Sequence, residues 1–189
     1  MLVWGALVTV GLAGLTRYSL TPGASARASS HWPHAISFQP RACDLTLVVS
    51  IHSKCPCSRA TVAELARLLS RFPSKIHAYV LLVQPDASTQ LVPVRQLSNV
   101  TIISDESGTL SDQFGAMTSG QTFAFDRAGR LRFSGGITAS RGHEGDNAGS
   151  DAIAAIAAMV TNENLTTQQT PVFGCPLGAP GAGARSDTK

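Results

Sequence analysis

Charge is scarce in this 189-residue chain: Asp, Glu, Lys and Arg together make up only 14%. With 43% hydrophobic residues, that excludes a highly charged disordered chain and leaves apolar material for one domain with a real core plus extensions. Dense basic blocks are also missing. The twelve arginines are scattered from Arg17 to Arg185 without a basic–aromatic stripe, and the net charge is only +3, so no nucleic-acid partner is expected. Internal repeats are absent. No apolar run reaches the ~20 residues of a comfortable bilayer span. The longest, at the N-terminus, extends from Leu2 to Leu15, is followed by Arg17, and has no Lys or Arg before it. That length suits the core of an export signal, with Ala24, Ser25 and Ala26 as a small-residue cleavage site. Extended through Tyr18 and Leu20, it reads instead as an uncleaved anchor with Arg17 at the interface, which is the reading preferred here. Residues 1–20 are therefore expected to be a membrane anchor or signal segment. Either form would place the domain outside the cytoplasm, where disulfides persist.

Residues 21–42 are rich in Pro, Ser and Ala, show no sustained period, and read as a linker. "LTLVVSI" (45–51) is a continuous aliphatic and β-branched run, as in a strand buried on both faces. From Ser58, apolar residues recur at three- and four-residue spacing (Val62, Leu65, Leu69, Phe72), predicting an amphipathic helix closed by Pro73. Further strands are expected at 75–83 and 99–104, and a short helix around Leu110 and Phe114. "QTFAFD" and "LRFSGG" flank "RAGR" as a hairpin turning at Gly129, and a helix follows over 150–160 with Ser150 as its cap. This order predicts an α/β three-layer sandwich with a mixed central sheet and a C-terminal β-hairpin plus helix, over residues 43–163. Residues 164–189 are expected to form a largely flexible extension.

The chain has four cysteines, and two of them flank Pro56 at the turn from the first strand to the first amphipathic helix. α/β folds place their chemistry at such turns. A helix N-terminus stabilises thiolate through its unpaired N–H groups and dipole. Cys55 is expected at or just before the helix cap, with Pro56 near the first helical position, where its missing N–H is harmless. His52 and Lys54 lie within a turn of Cys55 and would add positive charge. A Cys55–Cys57 disulfide would close a small, strained and therefore labile ring. Alternatively, Cys175, in "VFGCPL", could fold back as a resolving thiol for Cys55. Cys43 reads as a packed thiol or a partner for Cys175.

The strand, the Cys-Pro-Cys turn, the amphipathic helix and the late "FDRAGRLRFSGG" hairpin resemble the thioredoxin-like superfamily. They are nearest its membrane-tethered bacterial thiol-disulfide proteins, and "SGGITASRGHEGDNAG" and "FGCPL" are similar to segments of the RedB-like group. The resemblance implies a thioredoxin-like fold and thiol-disulfide exchange with protein thiols or disulfides of the cell envelope, in the periplasm or outside the membrane. It places the nucleophile at Cys55, a second catalytic thiol at Cys57 and no cofactor. Two departures stand out. The family's Cys-x-x-Cys becomes Cys55-Pro56-Cys57-Ser58, with Ser58 in the place of the second cysteine. The family's cis-proline before the first hairpin strand is replaced by Gly120, in a loop that in the family receives an extended peptide.

Two other readings use the same residues. Soft thiolates suit Cu(I), and Cys55, Cys57 and the late His143 resemble the donors of Sco-type copper-delivery proteins, with three residues between the cysteines there and one here. A structural zinc site would need paired Cys-x-x-Cys motifs, which the sequence lacks. A third reading is a catalytically inactive thioredoxin-like interaction domain, which Gly120 favours. The segment 140–149 gathers Arg141, His143, Glu144, Asp146 and Asn147 among glycines. It reads either as a ligand-facing loop, with Arg141 holding an anion, or as a polar turn preceding the last helix.

Overall fold

The computed structural model describes residues 2–85, 91–142, 144–145, 150–161 and 166–178. Its elements run α1 (Leu2–Leu20), β1 (Leu45–His52), α2 (Ser58–Arg71), β2 (Ile76–Val83), α3 (Val92–Arg95), β3 (Val100–Asp105), α4 (Thr109–Phe114), β4 (Gln121–Asp126), β5 (Leu131–Gly136), α5 (Asp151–Thr161) and β6 (Gln168–Gln169). The six strands form one sheet in the order β3-β2-β1-β4-β5-β6. β1, β2 and β3 are parallel; β4 runs antiparallel to both β1 and β5, and β6 is parallel to β5. The expected mixed-sheet α/β sandwich, with its hairpin and final helix, is thus the fold observed.

The strands are apolar throughout because both faces are covered. Odd-numbered β1 residues (Leu45, Leu47, Val49, Ile51) face Val62, Leu65 and Leu69 of α2 and Ile156 and Met159 of α5 in one core. Val48 of β1 faces the other way, with Tyr79, Leu81, Phe114, Phe123 and Phe125. Each fully buried side chain of this size contributes roughly 1.5–3 kcal/mol. α2 ends where Phe72 donates its N–H to the carbonyls of Leu68 and Leu69, and Pro73 cannot continue the ladder.

Three expectations are changed by the tertiary structure. Residues 21–42 are not a free tether. Trp32 and Ile36 are buried in the second core, and the backbone is pinned to the β4–β5 hairpin by Trp32 N–H to Gly129 O (2.8 Å) and Leu131 N–H to Ser30 O (2.8 Å). The reason is aromatic: Trp32 meets Phe38, Tyr79, Phe114 and Phe125 edge-on and donates its indole N–H to Phe38 O. Residues 166–178 of the C-terminal extension are anchored, with Val172, Phe173 and Leu177 buried; residues 164, 165 and 179–189 lie outside the described residues. The expected membrane-spanning anchor is also corrected. α1 has 19 residues, but no helix among the described residues is long and apolar enough to cross a membrane. Its apolar stretch stops at Leu15, and the last turn is Arg17, Tyr18, Ser19 and Leu20.

Candidate functional site

Strand β1 delivers His52, and the chain turns through Ser53–Cys57 into α2. The turn is tied by Cys55 N–H to His52 O (3.2 Å) and Ser58 N–H to Cys55 O (3.0 Å). Cys57, not Cys55, occupies the N-cap of α2, with no side-chain capping bond, so Pro56 lies ahead of the cap rather than at the first helical position. The cause is the tight turn, which uses the Ser58 N–H locally and delays the helical ladder until Thr61 N–H reaches Cys57 O (3.4 Å). Both thiols are buried: Cys55 is 4% exposed, and Cys57 8%.

What covers Cys55 is Cys175, whose backbone N–H donates to Cys55 Sγ at 3.4 Å. Burial pushes the Cys55 thiol up. Hydrogen bonds from the Cys175 thiol, from the backbone N–H groups of Cys175 and Cys57 and from the Ser58 hydroxyl outweigh it, and the net shift is below the ordinary value of 9.0. The two partners move the other way. Burial, together with the charge and hydrogen bond of Cys55, raises Cys57 and pushes Cys175 up to about 12, with Arg141 opposing both. The three thiols are therefore unequal: Cys55 gives up its proton more readily than an ordinary cysteine, and Cys57 and Cys175 less readily.

The remaining expected residues are placed as follows. The His52 Nδ1 accepts the Lys54 N–H at 3.1 Å, so this face of the imidazole serves the turn. The Ser58 hydroxyl donates to His52 O and pairs with the Ser119 hydroxyl, both at 3.1 Å. Gly120 has φ +92° and donates its N–H to Ser50 O at 2.7 Å, and a Cβ there would lie 2.7 Å from Thr61 Oγ1. Glycine is thus required by backbone conformation and by the closeness of α2. His143, Asp146 and Asn147 lie outside the described residues. Glu144 pairs with Arg59 at 3.1 Å in an exposed bridge. Cys43 donates to the carbonyl of Leu45 at 3.1 Å, a packed thiol near the start of β1.

One contributor escaped the sequence reading, and another has a different partner from the one expected. Ser119 is 1% exposed and binds the site from three directions: its hydroxyl accepts the His52 N–H (2.9 Å) and meets Ser58, and its N–H donates to Cys175 O (2.8 Å). Arg141, expected to hold an anion, instead donates to the carbonyls of Gly174 and Thr21. A serine in "TSGQTF" carries no spacing signal, and an arginine's partner 33 residues away is invisible in the chain. Among the described residues no group of three or more His, Cys, Asp or Glu side chains is gathered as a metal ion requires. Two of the copper donors read from the sequence, Cys55 and Cys57, are buried here, and the third lies outside the description.

A βαβ unit, then a hairpin antiparallel to its first strand, then a helix, with thiols at the first strand-to-helix turn, defines a thioredoxin-like fold with a thiol site. Among solved structures, a hypothetical protein of Sinorhizobium meliloti is similar at 20% identity and TM-score 0.59, over 84% of this chain and 94% of that one. A conserved protein of Geobacillus kaustophilus is similar at 18% identity and TM-score 0.60, over 84% and 92%. A secreted disulfide oxidoreductase of Mycobacterium tuberculosis aligns more loosely, at 11% identity and TM-score 0.44, over 62% and 81%. No protein-family model matches the chain, and no curated protein does. At these identities the likeness establishes the fold alone.

Proposed function

We propose that this chain performs thiol-disulfide exchange with protein thiols or disulfides of the bacterial cell envelope, as a member of the RedB-like thioredoxin group. Cys55 attacks as thiolate, and a neighbouring thiol, Cys57 or Cys175, resolves the mixed disulfide. His52 and Lys54 border the turn that carries the nucleophile, and Ser58 ties that turn to the end of β1 by donating its hydroxyl to His52 O. The single observation that carries the reading is the gathering of three thiols over the turn into α2, where the Cys175 N–H donates to Cys55 Sγ at 3.4 Å and unequal hydrogen bonding lowers Cys55 while Cys57 and Cys175 are raised. Exchange needs that inequality, because the thiolate is the nucleophile and neutral thiols do not compete with it. The N-terminal apolar run supports export as a signal segment; Val3, Trp4, Leu7 and Val10 of α1 are all strongly exposed.

The test equilibrates the full chain in glutathione buffers of graded potential, then maps alkylated cysteines by mass spectrometry. A reversible disulfide that includes Cys55, lost in Cys55→Ser along with turnover of a protein disulfide, is expected. If Cys55 never exchanges, while Cu(I) titrates onto the same thiols, the proposal is wrong.

A further inference from the structure

Residues 170–178 form a strap whose seat is the stretch just before β4. Ser119 N–H donates to Cys175 O at 2.8 Å and Leu177 N–H to Met117 O at 2.9 Å, and Thr118 and Pro176 face each other as an antiparallel bridge. The strap's first half continues the sheet edge, with Gly136 N–H bonded to Pro171 O and Thr170 N–H to Ser134 O, both at 3.2 Å. The two backbones touch at Gly174, where any Cβ would overlap the Ser119 carbonyl oxygen. Arg141 closes the outer side through the Gly174 carbonyl. Seated in this way, the strap puts Cys175 on Cys55, a residue only 4% exposed.

A nucleophile that must reach another protein's disulfide cannot act from beneath that cover. The seat also recognises main chain, since its bonds to the strap are between N–H and C=O groups that any extended polypeptide offers. We infer that the strap is an internal stand-in for substrate. It occupies the edge on which a partner's extended strand, carrying a disulfide-bonded cysteine preceded by glycine, docks in its place. It is displaced for the first step and returns for the second, with Cys175 rather than Cys57 as the resolving thiol. This inference rests on the proposed exchange activity.

The electron count closes without another reactant. With the strap displaced and a main-chain N–H of the docked partner strand in the place of the Cys175 N–H on Cys55 Sγ, Cys55 thiolate attacks one sulfur of the partner disulfide; the Cys55–partner S–S bond forms, the partner's own S–S bond breaks, and its second sulfur leaves as thiolate. That thiolate takes the proton of Cys175 as the strap returns. Cys175 sulfur then attacks Cys55 Sγ, and the partner's first sulfur departs as thiolate. The partner disulfide has been reduced by two electrons, and Cys55 and Cys175 are oxidised to one disulfide. The return that resolves the intermediate also evicts the product, because strap and product share one edge.

The test uses the full chain, with Gly174→Val and, separately, Leu177→Ala to loosen the strap, folding being checked by circular dichroism and urea unfolding. Iodoacetamide labelling of Cys55 is expected to quicken about tenfold in both, the factor that losing about one net hydrogen bond of closing energy gives. Labelling at the wild-type rate in folded variants overturns the gating. A synthetic peptide copying residues 170–178, with its cysteine as an activated mixed disulfide, should react faster with Gly174→Val than the same peptide carrying valine in place of its glycine. Equal rates for the two peptides overturn the shared seat. In Cys175→Ser the mixed disulfide with Cys55 should accumulate, and its prompt resolution by Cys57 overturns the role of Cys175. Failure of the exchange reading looks different: iodoacetamide labelling of Cys55 still quickens when the strap is loosened, but no disulfide reacts in any variant.

Discussion

Trp32→Ala measures whether residues 21–42 belong to the domain that carries the site. The indole is 6% exposed and meets four aromatic rings edge-on, with centroids 5.1–6.2 Å away. Truncating a buried Trp to Ala costs about 3–5 kcal/mol in lost transfer energy and cavity. That range already contains most of the pairwise aromatic contributions, roughly 0.5–1.5 kcal/mol each. The lost indole bond to Phe38 O, 3.2 Å long, adds about 1 kcal/mol if the carbonyl stays dry. We expect a loss of about 4 kcal/mol, which for a chain of this size lowers Tm by roughly 8–16 °C. Urea unfolding followed by far-ultraviolet circular dichroism is the assay, since the signal does not depend on the deleted fluorophore. Trp4→Ala is the control: Trp4 is 71% exposed in α1, and its loss should change stability by no more than about 0.5 kcal/mol. A Trp32→Ala loss below about 1 kcal/mol would refute the reasoning and restore the segment to a tether. The consequence reaches the site, because the same segment gives Gly23 N–H to Val172 O and accepts the Thr118 hydroxyl at Ala24 O.

Thiolate absorbance in a Cys43→Ser background should titrate in separated steps, the first below 9.0 from Cys55 and the last toward 12 from Cys175; a single step at the ordinary value contradicts the hydrogen-bonded trio. The sign for strap docking follows from the same pair. Cys175 is raised on docking, so its contribution is complete below 9.0 and is lost as pH rises toward about 12. Cys55 is lowered, so its contribution is present above 9.0 and is lost as pH falls through its lowered value. Cys55→Ala should therefore flatten the acid side of a pH profile of strap protection against proteolysis, and an unchanged profile counts against the trio. Gly120→Ala combines a left-handed backbone with a Cβ placed 2.7 Å from Thr61 Oγ1 and should lose about 1–3 kcal/mol in urea unfolding. A neutral result would mean the loop before β4 yields freely.

Much of the framework was legible because its signals are local. Leu45–Ile51 could only be a strand buried on both faces, and the spacing of Val62, Leu65 and Leu69 only a helix with one apolar stripe. Gly129 marked the hairpin turn, and its φ of +72° is the reason. The cysteine pair beside Pro56 was equally visible as the candidate centre. Low apolar density concealed the role of 21–42: Trp32, Ile36 and Phe38 are too widely spaced to form a period, and only the aromatic face of the sheet gives them a common partner.

By itself, then, the sequence determined neither β6 nor α3, but it did determine five of the six strands, the helices α2, α4 and α5 and the residue types at the first turn. Those depend on backbone conformation and on which side chains avoid water within a few residues of one another. Only the tertiary structure decided which thiol is lowered and which are raised. That choice belongs to hydrogen bonds from Cys175, 120 residues along the chain from Cys55, and to the close approach at Gly174 that lets the strap reach it. Direction and burial of a proton donor are properties of three-dimensional packing, and no local pattern encodes them.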